Sequence, residues 1–284
     1  MSTQPIHTFI PALVLAAACA SGCATTSTAA RPAVAQATRI SSTVVTLHGA
    51  PLELHLARPA QPLPDGPLVL YASGDGGWFG AAIDMFRTVA ARGFPAAGFS
   101  ARAFLRIERP RHAALDARQL AIDYGTILAH ARRELGLAPE TPAILMGWSR
   151  GAAFASIVGS EATVRDRIQG IIAIGLAADE NLRVDEDDDS GSSTSRGQAQ
   201  VSDVLRPYDR LRQTEPMRCA VIQATGDGYL RASDARELFG PDTVERRFYE
   251  VRARNHRFSG GRAEFVEALT SALSWVAHAP PPVR

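Results

Sequence analysis

The sequence predicts an α/β domain: a mostly parallel central sheet with helices on both faces and a short cap or loop insertion. Three observations carry this. Short apolar runs bounded by Gly and Pro alternate with segments of helical periodicity, the pattern of strands covered on both faces by crossover helices. The 284 residues are 46% hydrophobic and 21% charged, which suits one large globular domain and excludes wholesale disorder. No internal repeat appears, so a solenoid or propeller is excluded.

The elements follow in order. Residues 44–47 and 52–56 alternate apolar and polar around the turn His48-Gly49-Ala50-Pro51, a hairpin signal. Residues 67–71 form a short apolar strand ended by Ser73-Gly74-Asp75-Gly76-Gly77. Residues 81–92 carry Ile83, Phe86 and Val89 on one helical face, and 94–99 make the next strand. A long helix over 115–135 closes at Gly136. Strand 143–148 runs into helix 151–158. Strands at 170–175, 220–224 and 248–251 follow, and an amphipathic helix over 264–276 closes a domain expected to span 41–278, with a tail at 279–284. The run Asp185-Glu186-Asp187-Asp188-Asp189 with its Ser-rich sequel has no apolar periodicity and reads as a solvated loop. Its functional alternative is an acidic flap beside a site that takes a cationic group.

Composition narrows the chemistry. Net charge is +1, which gives no footprint for nucleic acid. All 30 cationic residues are Arg, so Schiff-base, Walker A and Ser–Lys chemistry are excluded. There is no CxxC pair and no HExxH, so neither a metal nor another cofactor is expected. Cys219, in the apolar run 219–222, reads as a small core residue.

The N-terminus reads as an export signal. Residues 1–22 contain no Asp, Glu or Arg, and 10–20 form an apolar run too short to span a membrane. Ala20-Ser21-Gly22-Cys23 resembles the lipobox of bacterial lipoproteins, with Ala20 where Leu is usual. That resemblance implies lipidation at Cys23, a flexible tether over 23–40 and membrane association through the lipid. A plain signal cleaved within 24–30 is the alternative.

Three motifs carry the chemistry. Gly147-Trp148-Ser149-Arg150-Gly151 follows a strand and opens a helix, the context a GxSxG nucleophile elbow requires. Gly226-Asp227-Gly228 follows strand 220–224 and supplies the candidate acid; Asp234, near a helix start, reads as a surface group. Arg254-Asn255-His256-Arg257 follows the last strand and supplies the candidate base. His48, His55, His112, His130 and His278 read as structural or solvated. The chain order Ser, Asp, His is that of α/β-hydrolases. Ser149 is then the nucleophile, His256 the general base and Asp227 its orienter. The backbone N–H of Arg150 is one oxyanion donor, and that of Asp75 or Gly76 the other. A carboxylate beside an oxyanion would oppose it, so Asp75 is expected to turn its side chain away as a turn cap; the alternative is that it pairs with Arg or with a substrate cation. Trp148, within the elbow, and Trp78, at the end of the glycine-rich loop after strand 67–71, are candidate substrate contacts.

Ser73-Gly74-Asp75-Gly76-Gly77-Trp78 with Asp84, the Gly-Trp-Ser-Arg-Gly elbow, Gly226-Asp227-Gly228 and Asn255-His256-Arg257-Phe258-Ser259-Gly260 together resemble the VirJ/AcvB family of bacterial virulence proteins over residues 65–278. The resemblance implies an α/β-hydrolase fold, an exported protein, and hydrolysis of an aminoacyl ester on a lipid headgroup such as lysyl-phosphatidylglycerol. It matches Ser149, Asp227 and His256 to the family's triad. Phe99-Ser100-Ala101-Arg102-Ala103-Phe104-Leu105 departs from the family's Asp-Ser-Leu-Arg-Tyr-Phe-Trp segment, and the acidic 185–189 run is not a family feature. The expected partner is therefore an ester or lipid-headgroup substrate. The alternatives are a non-catalytic, secretion-associated binding module on the same fold, and acyl transfer by the same triad.

Overall fold

The computed structural model describes residues 38–107, 116–181 and 204–279. Outside them lie the export signal with Cys23, most of the tether, the first residue of the expected long helix, His112, the acidic run and the last residues of the tail.

The chain enters along β1 (Arg39–Leu47) and returns along β2 (Ala50–Arg58). A crossover then joins β3 (Leu68–Ala72), α1 (Ala81–Ala91) and β4 (Ala96–Phe99). Helices α2 (Ala101–Ile107) and α3 (Ala117–Leu135) lead to β5 (Ala143–Trp148), α4 (Arg150–Ser160), the single turn α5 (Ala162–Arg165) and β6 (Ile168–Ile174). A small antiparallel ribbon, β7 (Glu180–Asn181) with β8 (Val204–Leu205), precedes α6 (Pro207–Arg212) and β9 (Arg218–Ala224). The chain ends through α7 (Ala232–Phe239), β10 (Arg246–Val251) and α8 (Arg262–Ala277).

One eight-stranded sheet runs in the order β1-β2-β4-β3-β5-β6-β9-β10. The hairpin β1–β2 pairs antiparallel, and β2 meets β4 antiparallel; β4, β3, β5, β6, β9 and β10 are mutually parallel. Side chains alternate across the sheet, as a period of two demands. Leu68, Leu70, Ala143 and Leu145 face the layer built by α2, α3, α4, α6 and α7. Val69, Tyr71, Ile144 and Met146 face the layer of α1 and α8. Each fully buried side chain of this kind contributes roughly 1.5–3 kcal/mol of transfer free energy, so both faces must be covered. Cys219 is buried against the Thr214 hydroxyl at 2.8 Å, and burial pushes its thiol up to about 12. It is the small core residue its apolar run suggests.

The chain reverses its direction of growth at β3. β4 lies on one side of it and β5 on the other, and ligands of open α/β sheets bind outside the strand ends at such a switch point.

Several boundaries differ from the sequence reading. β1 begins at Arg39, inside the expected tether, because its first residues lie on an exposed sheet edge and need no burial pattern. Helices α2, α5 and α6 and the β7–β8 ribbon are additional to it, and α7, of which it gives only a start near Asp234, runs to Phe239. Four of the other histidines are spent elsewhere. His48 Nε2 meets Asp123 Oδ1 at 3.0 Å, and the His55 ring stacks on Trp78 at 4.3 Å. His130 Nδ1 accepts from Arg133 Nη2, and His278 Nδ1 meets the Ser274 carbonyl.

Candidate active site

β5 ends in a sharp turn into α4, and Ser149 sits on it at φ 56°, ψ −122°. That is a strained place for a residue with a β-carbon, of a kind that costs about 1–3 kcal/mol and clusters at functional sites. The flanking glycines make it possible. A β-carbon on Gly147 would stand 1.9 Å from the Gly151 carbonyl oxygen, and one on Gly151 would stand 2.1 Å from that of Ala72. The turn is pinned by the Ser149 N–H, which donates to the Ile174 carbonyl at 2.8 Å.

Asp227 follows β9 and is 2% exposed. Its carboxylate is fully engaged. Oδ2 accepts from His256 Nδ1 at 2.7 Å and from Gln223 Nε2 at 3.1 Å, and Oδ1 accepts from the Tyr229 N–H at 2.9 Å. Gly226 brings the loop against the histidine loop, its N–H donating to the Ala253 carbonyl at 2.9 Å. Asp234 lies exposed on α7, as a surface group.

His256 is held by an Asn-built turn. Asn255 Oδ1 accepts from the N–H groups of Arg257 and Ser259, and the buried Phe258 ring packs on Phe265 at 4.5 Å. Because a carboxylate can only accept, Nδ1 carries the proton and the neutral ring presents its lone pair at Nε2. Nε2 is buried and has no hydrogen-bond partner, Ser149 Oγ included. The ring stands beside the elbow all the same, stacked on Trp148, the residue before Ser149. Gly175, which follows the carbonyl that binds the Ser149 N–H, is so close to the imidazole that a β-carbon there would stand 2.7 Å from Cε1. Serine–histidine bonds of this kind are commonly loose until substrate arrives.

The loop after β3 closes on the nucleophile. A β-carbon on Gly74 would meet Ser149 Cβ at 3.0 Å and lie 3.6 Å from Oγ. The Gly77 N–H donates to the Gly74 carbonyl at 3.0 Å, so Asp75 and Gly76 are the central residues of a tight turn. Gly76 lies against the exposed Phe79 ring. The expected turn cap by the Asp75 side chain is not what forms; the alternative, pairing with Arg, is. Asp75 pairs with the Arg150 guanidinium through Nε and, at 3.0 Å, Nη2, so its charge is met by the residue that follows the nucleophile.

The two tryptophans belong to the frame rather than to an open substrate surface. Trp78 is packed by His55, Tyr71 and Phe86 and lies over Gly98. Trp148 is 8% exposed; its Nε1–H donates to the His256 carbonyl at 3.3 Å and its ring stacks on the imidazole at 5.7 Å. It braces the base.

The sequence reading misses Gln223, Tyr229 and Glu180. Gln223 is fully buried in β9, donating to Asp227 and to the Leu230 carbonyl while its oxygen accepts from the Leu176 N–H. A lone amide inside the apolar run of β9 was the available signal. Tyr229 meets the imidazole edge-on at 4.8 Å. Glu180 Oε1 reaches Arg150 Nη1 at 3.3 Å. Among the described residues no cluster of three or more His, Cys, Asp or Glu could hold a metal.

No protein-family model and no curated protein matches the chain. Solved structures do. A Klebsiella pneumoniae protein described as a dienelactone hydrolase aligns with a TM-score of 0.61 at 13% identity, over 86% of this chain and 100% of that one. A thermostable esterase from Pseudomonas putida gives 0.59 at 15%, over 86% and 84%. Est1E from Butyrivibrio proteoclasticus gives 0.57 at 11%, over 83% and 99%. At such identities the likeness is one of architecture, and with the sheet order and the strand–turn–helix elbow it establishes that this chain has the α/β-hydrolase fold.

Proposed function

We propose that the protein is a serine hydrolase of carboxylic esters, of the VirJ/AcvB type, exported and working at the periplasmic side of the envelope. The observation that carries the first part is the His256 imidazole. It is oriented by a buried carboxylate, its Nε2 has no hydrogen-bond partner among the described residues, and its ring stacks on Trp148, the residue before the strained Ser149. The esterase neighbours support the same reading by fold.

Ser149 Oγ attacks the ester carbonyl as its proton passes to His256 Nε2. Asp227 fixes the tautomer and stabilises the imidazolium. The tetrahedral oxyanion is met by the N–H of Arg150, the first residue of α4, and by that of Asp75, which follows the glycine lying on Ser149. Collapse expels the alcohol, protonated by His256, and leaves an acyl-enzyme. Water, activated by the same imidazole, releases the acid and restores the serine.

The finer reading rests on the family resemblance: the ester is the aminoacyl ester of a lipid headgroup, and lipidation at Cys23 would keep the enzyme at the membrane that holds it. Incubating the protein with lysyl-phosphatidylglycerol in detergent micelles, beside Ser149→Ala, tests this by mass spectrometry of released lysine. Lysine and phosphatidylglycerol are expected from the wild type alone. Hydrolysis of simple aryl esters with the lipid left intact would overturn the lipid assignment and leave the esterase standing.

A further inference from the structure

The residue after a nucleophilic serine is needed only for its backbone N–H, yet here its side chain has specific partners. The Arg150 guanidinium is largely buried between two carboxylates from different parts of the fold. It binds Asp75 through two nitrogens and Glu180 Oε1 through Nη1 at 3.3 Å. Asp75 stands at the centre of the Gly74–Gly77 turn, whose glycine rests on Ser149 Cβ. The two residues joined by this fork are therefore the two whose backbone N–H groups are assigned above to the oxyanion.

We propose that the Asp75–Arg150 pair is a positioning device: a side-chain clamp that holds the two oxyanion-donor peptides at their working separation. The inference rests on the hydrolase reading. One donor is carried on a helix and is rigid. The other is carried on a glycine-rich turn closed by one backbone hydrogen bond, from the Gly77 N–H to the Gly74 carbonyl, and its central peptides are held less firmly than those of a helix. A planar fork binding a carboxylate through two parallel contacts fixes direction as well as distance. Glu180, at the start of the β7–β8 ribbon, holds the far side of the guanidinium so that the fork stays turned toward Asp75. The clamp also cancels the negative charge that Asp75 would otherwise set against the developing oxyanion. Asp75 and Arg150 are positioning residues in this account: their side chains act on the peptides, not on the substrate.

The test uses the full chain, a neutral aryl acetate as substrate and a neutral fluorophosphonate as probe of the serine, so that Arg150 has no charged substrate to bind. Arg150→Met keeps the backbone N–H and most of the packing. It is expected to lower kcat about tenfold to a hundredfold, less than or up to the loss of a whole oxyanion donor, with KM nearly unchanged. Fluorophosphonate labelling should slow in parallel. Asp75→Ala, at a half-exposed side chain, should act in the same direction, and the double variant should be little worse than Arg150→Met, because one clamp is broken only once. Folding of each variant is checked by its thermal transition. Four results would overturn the clamp: folded variants with wild-type kcat, a failure of the slower labelling, a loss confined to KM, which makes Arg150 a substrate contact, or losses that multiply fully in the double variant. A wild type that neither labels nor hydrolyses would instead overturn the hydrolase reading beneath it.

Discussion

Gln223 shows how much of a catalytic site is held from behind. Its amide joins two buried groups, the Asp227 carboxylate and the Leu176 N–H, to the half-buried Leu230 carbonyl. The Tyr208 hydroxyl completes the frame by donating to the Leu176 carbonyl, and burial raises its pKa. Replacing Gln223 by Met keeps the volume, leaves the buried Leu176 N–H without this partner and takes one of three hydrogen bonds from Asp227, which keeps those of His256 and the Tyr229 N–H. A stranded buried group costs about 1–3 kcal/mol, so the variant should lose about that much in urea unfolding. It should also lose kcat, since Asp227 is then held less firmly toward His256. A Gln223→Met protein with full stability and full esterase activity would show that the amide is incidental. The three candidate residues drew notice because they stand in motifs whose spacing reflects local geometry: glycines at a turn, an acid after one strand, a histidine after the next. Gln223 did not, because a side chain's partners are chosen by tertiary packing. The Asp75 side chain misled for a related reason. Electrostatic repulsion favoured a turn cap over the pairing with Arg, and the sequence could not show that the guanidinium of Arg150 stands within reach.

At the level of elements, the elbow is the feature on which the site depends most. Gly151 lies where the first turn of α4 crosses the end of β3, and a methyl group there would fall 2.1 Å from the Ala72 carbonyl oxygen. Backbone cannot yield as a side-chain tip can. Gly151→Ala should therefore cost roughly 3 kcal/mol or more, at or above the upper end of overpacking penalties, and disarm Ser149 even where the protein still folds. Thermal melting beside labelling of the serine checks both effects; an unchanged melting point would mean that helix and strand are not in the contact described. The elements that the sequence revealed are those with long periodic patterns and clear stops. β5 was read to its true ends, and α3 to its left-handed Gly136 cap. The additional helices are short and take their stability from neighbours. Some left signals all the same: Ser100 Oγ accepts from the Ala103 N–H at the start of α2, and Pro207 opens α6. The edge strand β1 had less to offer, since a strand with one solvated edge and exposed first residues carries little alternation.

Across the whole molecule, the candidate site is built from three loops that lie far apart in the chain and come at the carboxyl ends of parallel strands. β5 delivers the serine, β9 the aspartate and β10 the histidine, while β3, at the switch point, delivers the glycine turn that closes over the serine. The sheet is covered by apolar layers on both faces, so these ends are fixed to one another by the core rather than by the site. The central claim is that this arrangement activates Ser149. The direct measurement is intact-mass analysis of the protein after exposure to a fluorophosphonate, with Ser149→Ala alongside. The account predicts a single adduct on the wild type and none on the variant. A folded wild type that takes no adduct, or a variant that labels equally, would contradict it.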